Sequence, residues 1–392
     1  MARRCKLFGL GLLIIAPWVL PACAVRLAPP MISDDLTAES LRAAIRHSRA
    51  YLQKLPLDRV VGERPRRLTV GDVERSLGEF ERLLNQWSCA ECLVREIHRR
   101  FDLVPSSSEP NSSEVLVTGY YQPVIDGRLS PTEEYRYPLY GKPPDLITAE
   151  QVMLQPKVVV EKVVGRVEGE RFMPYYTRAD IDQHGVLRGR GLEIAWVKDP
   201  VESFFLHIQG SGIIRLPDGG RLSVGYAAQN GHPYRSIGRL LIDDGKIPRE
   251  EMSMQRLRQY LRDHPQERNE IFAYNESYVF FRVNPEGPLG SLDVPVTAGR
   301  SIATDTRLFP KGALALMQTQ IPVIDDAGQL AGWQPVARFV LNQDSGGAIR
   351  GLRRADYYFG SGDHAGDLAG FMNHPGMLFF LVLKRGEGDI GN

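Results

Sequence analysis

The chain has 392 residues, 43% of them hydrophobic and 24% charged, a composition of folded domains with sizeable cores and not of a disordered or fibrous chain. Its 48 Lys and Arg balance 47 Asp and Glu to a formal charge of +1. No broad field therefore favours nucleic acid or an anionic surface, and specificity has to come from a local site.

Arg3, Arg4 and Lys6 make a basic start, and Leu7 to Leu20 is an almost unbroken apolar run, so residues 1–22 read as a signal peptide that is short for a bilayer span. Leu20-Pro21-Ala22-Cys23 resembles the bacterial lipobox, in which the leader is cut before the cysteine and that cysteine is acylated. The resemblance implies a lipid on Cys23. Because Ala24 and not an acidic residue follows, it also implies an anchor on the periplasmic face of the outer membrane. The plain alternative is an ordinary cleaved signal with a chance cysteine. Arg3-Arg4 is followed by Cys5-Lys6-Leu7, without the rest of the twin-arginine pattern, so general secretion is the expected route.

Residues 24 to about 34, Pro29-Pro30 included, read as a tether. Leu41, Ile45, Leu52 and Leu55 then form the apolar stripe of a helix, and Thr69 with Asp72 three residues on opens a second, carrying Val73, Leu77, Phe80 and Leu84. Cys89 and Cys92 sit in a helical segment of an exported chain, which leaves a local disulfide or two inert thiols open; two thiols cannot build a four-ligand zinc site. The breaker-rich stretch Pro105 to Ser113 marks a boundary.

Beyond it the pattern predicts short strands at Val115–Val117, Val158–Val160, Leu192–Val197 and Phe204–Ile208. A hairpin follows, Ile213–Leu216 turning through Pro217-Asp218-Gly219-Gly220 into Leu222–Tyr226. Helices return between about Tyr234 and His264, with Pro248 at a helix start, and strands dominate again from Ser277 to Lys384.

Asn342-Gln343-Asp344-Ser345-Gly346-Gly347 follows an apolar strand, and an acid at a strand end beside paired glycines can meet a ligand closely. Asp356 precedes Tyr357-Tyr358-Phe359, flat apolar faces that suit sugar rings and that shift a carboxyl pKa. The bland reading is that both are turn or capping aspartates. An aspartic protease would need two lobes, whereas Asp305 and Asp344 lie about 40 residues apart and Arg307 stands where glycine belongs. His207, His232, His364 and His374 show no metal-ligand spacing, and neither a Gly-x-Ser-x-Gly elbow nor a phosphate loop occurs, so no metal or other cofactor is expected.

Several stretches together resemble the membrane-bound lytic murein transglycosylase A family: Thr118–Pro123, Tyr137–Tyr140, Tyr176–Ile181, Gln209–Gly212, Gly225–Tyr234 and Asn275–Phe281. Each is weak alone; in this order they are specific. The C-terminal part resembles the module named for three aspartates, which fall on Asp305, Asp344 and Asp356.

The resemblance implies an α+β protein, mainly β with helices, in two domains: a double-psi β-barrel and a smaller inserted β-barrel, with the glycan in a groove between them. The expected division is a helical segment of the larger domain at 24–110, the insert at 111–275 and the remainder of the larger domain at 276–392. It also implies cleavage of the β-1,4 bond between N-acetylmuramic acid and N-acetylglucosamine with closure of a 1,6-anhydro ring. Asp344 would be the single catalytic acid and base, and Asp305 and Asp356 its supporting residues. Tyr120, Tyr121, Gln209, Ser211, Tyr226 and Gln229 lie in motif stretches that could line the groove. The partners expected are peptidoglycan strands, the outer membrane through the lipid anchor, and other murein synthases or hydrolases, with no nucleic acid. Two rival readings are a β-1,4-glycan hydrolase using two aspartates and a non-catalytic peptidoglycan-binding lipoprotein.

Overall fold

The computed structural model describes residues 30–106, 114–153, 159–285, 287, 289–346 and 349–385. The signal peptide, Cys23, most of the expected tether, Val158 and the breaker-rich stretch beyond Ser106 lie outside the described residues, as do Gly347 and Ala348.

One sheet runs in the order Leu314–Ile324, Leu330–Asp344, Ser301–Ala303, Arg354–Ser361, Glu114–Gln122, Asn373–Leu383 and Phe101–Pro105. Leu314–Ile324 also pairs with Asn373–Leu383, so six of these strands close into the expected double-psi β-barrel, and closure removes the exposed edges. Its long apolar strands are buried on both faces. The inner one packs Val117, Ala315, Val340 and Phe380, while the outer one is covered by the helices Ala38–Leu52, Val70–Leu83 and Ala90–Arg100. These helices begin where caps satisfy their first amides: Thr37 accepts from Ser40, and Thr69 and Asp72 form a reciprocal capping box. Cys89 and Cys92 are joined in a disulfide at the start of the third.

The chain is fixed to the large barrel at Asp34 and Asp35, where the expected tether ends. Arg300 is fully buried in the large barrel, and a buried guanidinium requires a counter-charge. Asp34 supplies it at 2.5 Å, and Asp35 pairs with Arg338 at 2.6 Å, so the chain is pinned to the barrel before the first helix begins.

A second sheet runs Val279–Val283, Arg221–Gln229, Ser211–Arg215, Val124–Arg128, Glu193–Val197 and Tyr137–Tyr140, and a bridge from Gly141 to Phe281 joins its ends. A three-stranded sheet, Ile147–Met153, Val159–Glu168 and Arg171–Pro174, extends from it. The expected strand at Phe204–Ile208 is a helix, Pro200–Gln209: Asp199 caps it, Pro200 takes the first turn and Gly210 ends it in the left-handed region. An apolar run buried on all sides has no period to distinguish the two states.

The expected domain limits of 111 and 276 each miss by one strand. Glu114–Gln122 lies in the large barrel and Val279–Val283 in the second. The chain therefore crosses between barrels at Gln122-Pro123 and again in the loop after Val283, and both crossings bear on the site.

Candidate active site

Asp344 is the last residue of its strand, and the residues before it fix its position. Gln343 is fully buried; its amide donates to the Ala44 carbonyl at 2.8 Å and to Ser48 Oγ at 3.0 Å, and its oxygen accepts from Ser301 at 2.6 Å. Asn342 accepts from Thr304 and donates to the Pro310 carbonyl. Fully satisfied buried amides leave the strand end little freedom.

The Asp344 carboxyl is bound on one side. Ser291 N and Ser345 N each donate to its Oδ1 at 2.8 Å, and its Oδ2 has no hydrogen bond among the described residues. Ser291 belongs to the loop that returns from the second barrel. Gly290 is what lets that loop come close: a Cβ there would stand 2.6 Å from the Gln343 carbonyl and 3.4 Å from Asp344 Cγ. Burial raises the Asp344 pKa, and the two amides oppose the rise. The residue is partly exposed, so a ligand can reach a carboxyl that surrounding protein has already desolvated.

Asp356 stands on the other side of the same short strand. Ala303 pairs with Asp344 in parallel and with Asp356 antiparallel, and Asp356 pairs in turn with Thr118. Residues in register across a sheet share a face, so Asp344, Ala303, Asp356 and Thr118 form one row, with the two aspartate Cα atoms about 10 Å apart at ordinary strand spacing. Thr118 donates to Asp356 at 2.5 Å. Burial pushes the Asp356 pKa up to about 6, with the Asp344 charge adding to the rise and Thr118 opposing it.

Asp305 has a different part. It is fully buried, accepts from the Arg307 guanidinium at 2.7 and 2.9 Å and from Gly351 N at 2.9 Å, and the Arg307 contacts hold its pKa well below the usual range. It ties down the far end of the segment that begins at Asp344, and its carboxylate is not placed to exchange a proton.

Of the six expected groove residues, Tyr120 joins Asp344. Its ring lies 5.0 Å from that of Tyr358, and its hydroxyl is buried without a hydrogen-bond partner among the described residues. Burial pushes the pKa of that hydroxyl well up and the Asp344 charge adds to the rise; by strand alternation from Thr118, Tyr120 lies on the face that holds Asp344.

Tyr121 does not join the cluster. Successive strand residues face opposite ways, and Tyr121 packs on Gly366 with its hydroxyl accepting from Arg258 at 2.6 Å. Gln209 is likewise engaged inside the protein, accepting from Tyr121 N at 3.2 Å and so linking the second barrel's helix to a strand of the first. Tyr226 and Gln229 are exposed on the second barrel, and Ser211 is half-buried at the start of its strand.

A cavity of about 520 Å³ beside Tyr121, Arg258 and Asp363 is not lined by Asp344, Asp356 or Tyr120. Among the described residues no group of three His, Cys, Asp or Glu could hold a metal ion.

Four contributors were missing from the sequence reading. Thr118 and Tyr358 stand inside motifs already singled out, and the alternation of the strands would have placed both on the Asp344 face. Gly290 and Ser291 lie in a glycine-rich turn that carries no recognisable signal.

The MltA specific insert domain matches residues 116–282, and the 3D domain matches residues 300–382. The chain is 34% identical over 283 residues to membrane-bound lytic murein transglycosylase A of Escherichia coli K12, covering 71% of this chain and 69% of that protein. To the protein of the same name from Vibrio cholerae it is 31% identical over 274 residues, covering 69% of this chain and 66% of that one. Among solved structures, a membrane-bound lytic murein transglycosylase from Agrobacterium tumefaciens superimposes with a TM-score of 0.71 at 29% identity, over 89% of this chain and 97% of that one. Escherichia coli MltA with bound chitohexaose superimposes with a TM-score of 0.67 at 26% identity, over 91% of this chain and 93% of that one.

Proposed function

The chain belongs to the membrane-bound lytic murein transglycosylase A family, and we propose that Asp344 is the single acid and base with which it cleaves peptidoglycan. The enzyme breaks the β-1,4 bond between N-acetylmuramic acid and N-acetylglucosamine and leaves 1,6-anhydromuramyl ends. The observation that supports Asp344 in this role is its divided carboxyl, with Oδ1 held by two backbone amides and Oδ2 unengaged among the described residues.

Protonated Asp344 gives its proton to the glycosidic oxygen as the bond from that oxygen to the muramyl anomeric carbon breaks. The resulting carboxylate takes the proton of the muramyl C6 hydroxyl as that oxygen bonds to the same carbon. The acid is restored and no water is consumed, so a second carboxylate is unnecessary, unlike in paired-carboxylate glycosidases. The raised pKa keeps part of Asp344 protonated near neutral pH. Asp356 and Asp305 support it, Asp356 through its charge and Asp305 through the loop. Tyr120, Tyr226, Gln229 and Ser211 are the groove residues available to the sugars.

The relatives are membrane-bound, and no described helix is long and apolar enough to cross a membrane. The lipobox-like Leu20–Cys23 supports export, acylation of Cys23 and a place on the periplasmic face of the outer membrane, where murein synthases and other murein hydrolases would be its neighbours.

Digestion of purified sacculi by the chain lacking its leader, followed by mass spectrometry, tests the assignment. Products one water lighter than hydrolytic muropeptides are expected. Asp344→Asn should lose them by about 10²-fold to 10⁴-fold while keeping the native circular dichroism spectrum. Reducing ends would overturn the reaction, and an active Asp344→Asn would overturn the residue.

A further inference from the structure

Arg354, Asp356 and Tyr358 are alternate residues of one strand and share a face, while Ala355 and Tyr357 between them are buried in the barrel. Asp356 engages Thr118, and Tyr358 packs against Tyr120 with the rings tilted. Among the described residues Arg354 has no such partner. It is half-buried, its Nε is buried without a hydrogen bond, and among the described residues no carboxylate lies within ion-pair distance of its guanidinium. Its charge acts on the carboxyl of Asp356 and on the hydroxyl of Tyr234, which the second barrel contributes from the loop after Arg221–Gln229. Arg354 thus stands two residues along the strand from the row that holds Asp344, on the same face.

A guanidinium offers five donors in a fixed fork, and leaving one partly desolvated and unpaired is unfavourable unless a ligand completes it. The two sugars of peptidoglycan differ in one group that such a fork can read: the muramyl residue carries a lactyl ether ending in a carboxyl group, a carboxylate where the peptide has been removed and an amide carbonyl where it remains. Both are acceptors for arginine.

We propose that Arg354 donates to the lactyl carboxyl group of a muramyl residue and so sets the register in which muramyl and glucosaminyl units lie across Asp344. The proposal rests on the peptidoglycan reading and adds a specificity determinant to it. Arg354 is a positioning residue and takes no part in the proton transfers.

The test is calorimetric binding of two peptide-free hexamers to the chain lacking its leader, with Asp344→Asn present throughout to prevent turnover. One hexamer alternates N-acetylglucosamine with N-acetylmuramic acid bearing free lactyl carboxylates; the other is N-acetylglucosamine alone. Arg354→Ala should weaken the muramyl hexamer about tenfold or more and leave the plain one within about twofold. Arg354→Lys, which keeps the charge and loses the fork, should fall between, and the muramyl preference of the parent should shrink as salt is raised. Equal weakening of both hexamers would mark Arg354 as structural and overturn the proposal, as would unchanged binding of both. Binding of neither by the parent would overturn the peptidoglycan reading itself, and the proposal with it.

Discussion

Asp344 and Asp356 flank Ala303 from the two strands on either side of it, so the side chain between the two carboxyl groups is a methyl. A methyl neither solvates nor pairs a charge, and with Asp344 ionised the proton on Asp356 is held more tightly. Interactions of this kind are reciprocal, so the charge of either group raises the pKa of the other.

The first prediction concerns the pH profile. Removing the Asp356 charge with Asp356→Asn should lower the apparent pKa of Asp344 and move the alkaline limb of kcat/KM to lower pH, leaving the maximum within about tenfold because Asn still accepts from Thr118. An unmoved limb with activity abolished would instead make Asp356 a participant in proton transfer.

The same substitution has a sign in stability. The folded pKa of Asp356, about 6, lies above the ordinary aspartate value of 3.8, so the folded state binds this proton more tightly than the unfolded chain. Its contribution is most favourable below about pH 4, declines as pH rises through 6 and is then flat. Denaturant titrations should show Asp356→Asn gaining on the parent between pH 4 and pH 7 by an amount on the order of 2 kcal/mol. A difference that stayed constant over that range would contradict the shift.

Much of this site was legible as motif and little of it as geometry. Asp344, Asp356 and Asp305 could be named because they sit in short recognisable stretches; the apolar strands point to β-barrel-like units, and the double-psi barrel is implied by the family resemblance. What a linear pattern does not encode is which barrel a strand joins: Glu114–Gln122 and Val279–Val283 read as ordinary strands, and long-range pairing alone assigns them. Tyr120 and Tyr121 show the same limit at residue scale. Both are motif tyrosines, and the pleat sends one to Asp344 and the other to Arg258.

The polar N-terminal edge has a consequence for stability. Asp34→Ala would leave the buried Arg300 guanidinium without its carboxylate and remove the acceptor of Phe339 N, which Asp34 also engages at 2.7 Å. Breaking a buried pair on one side costs about 3–5 kcal/mol. Urea unfolding should show a loss of that size, and a chain beginning at residue 36 should show at least as much. A loss below about 1 kcal/mol would mean that the segment is an appendage to the barrel and not a part of it.

Gly290 offers the sharpest separation of fold from chemistry. Its backbone needs no left-handed angle; the constraint is the 2.6 Å that a Cβ would leave to the Gln343 carbonyl. In Gly290→Ala the loop from the second barrel has to retreat, and Ser291 N then withdraws from Asp344 Oδ1. That amide opposes the burial-driven rise in the Asp344 pKa, so its loss raises the pKa further. The alkaline limb of kcat/KM should therefore move to higher pH, opposite to the Asp356→Asn shift. The maximum should fall about tenfold or more, because the carboxyl loses one of the two donors that orient it. Overpacking at a tight site costs about 1–3 kcal/mol, so the variant remains folded at ambient temperature and the profile can be measured. Should stability fall while the limb stays in place, Ser291 N would be a structural contact with no part in tuning the acid.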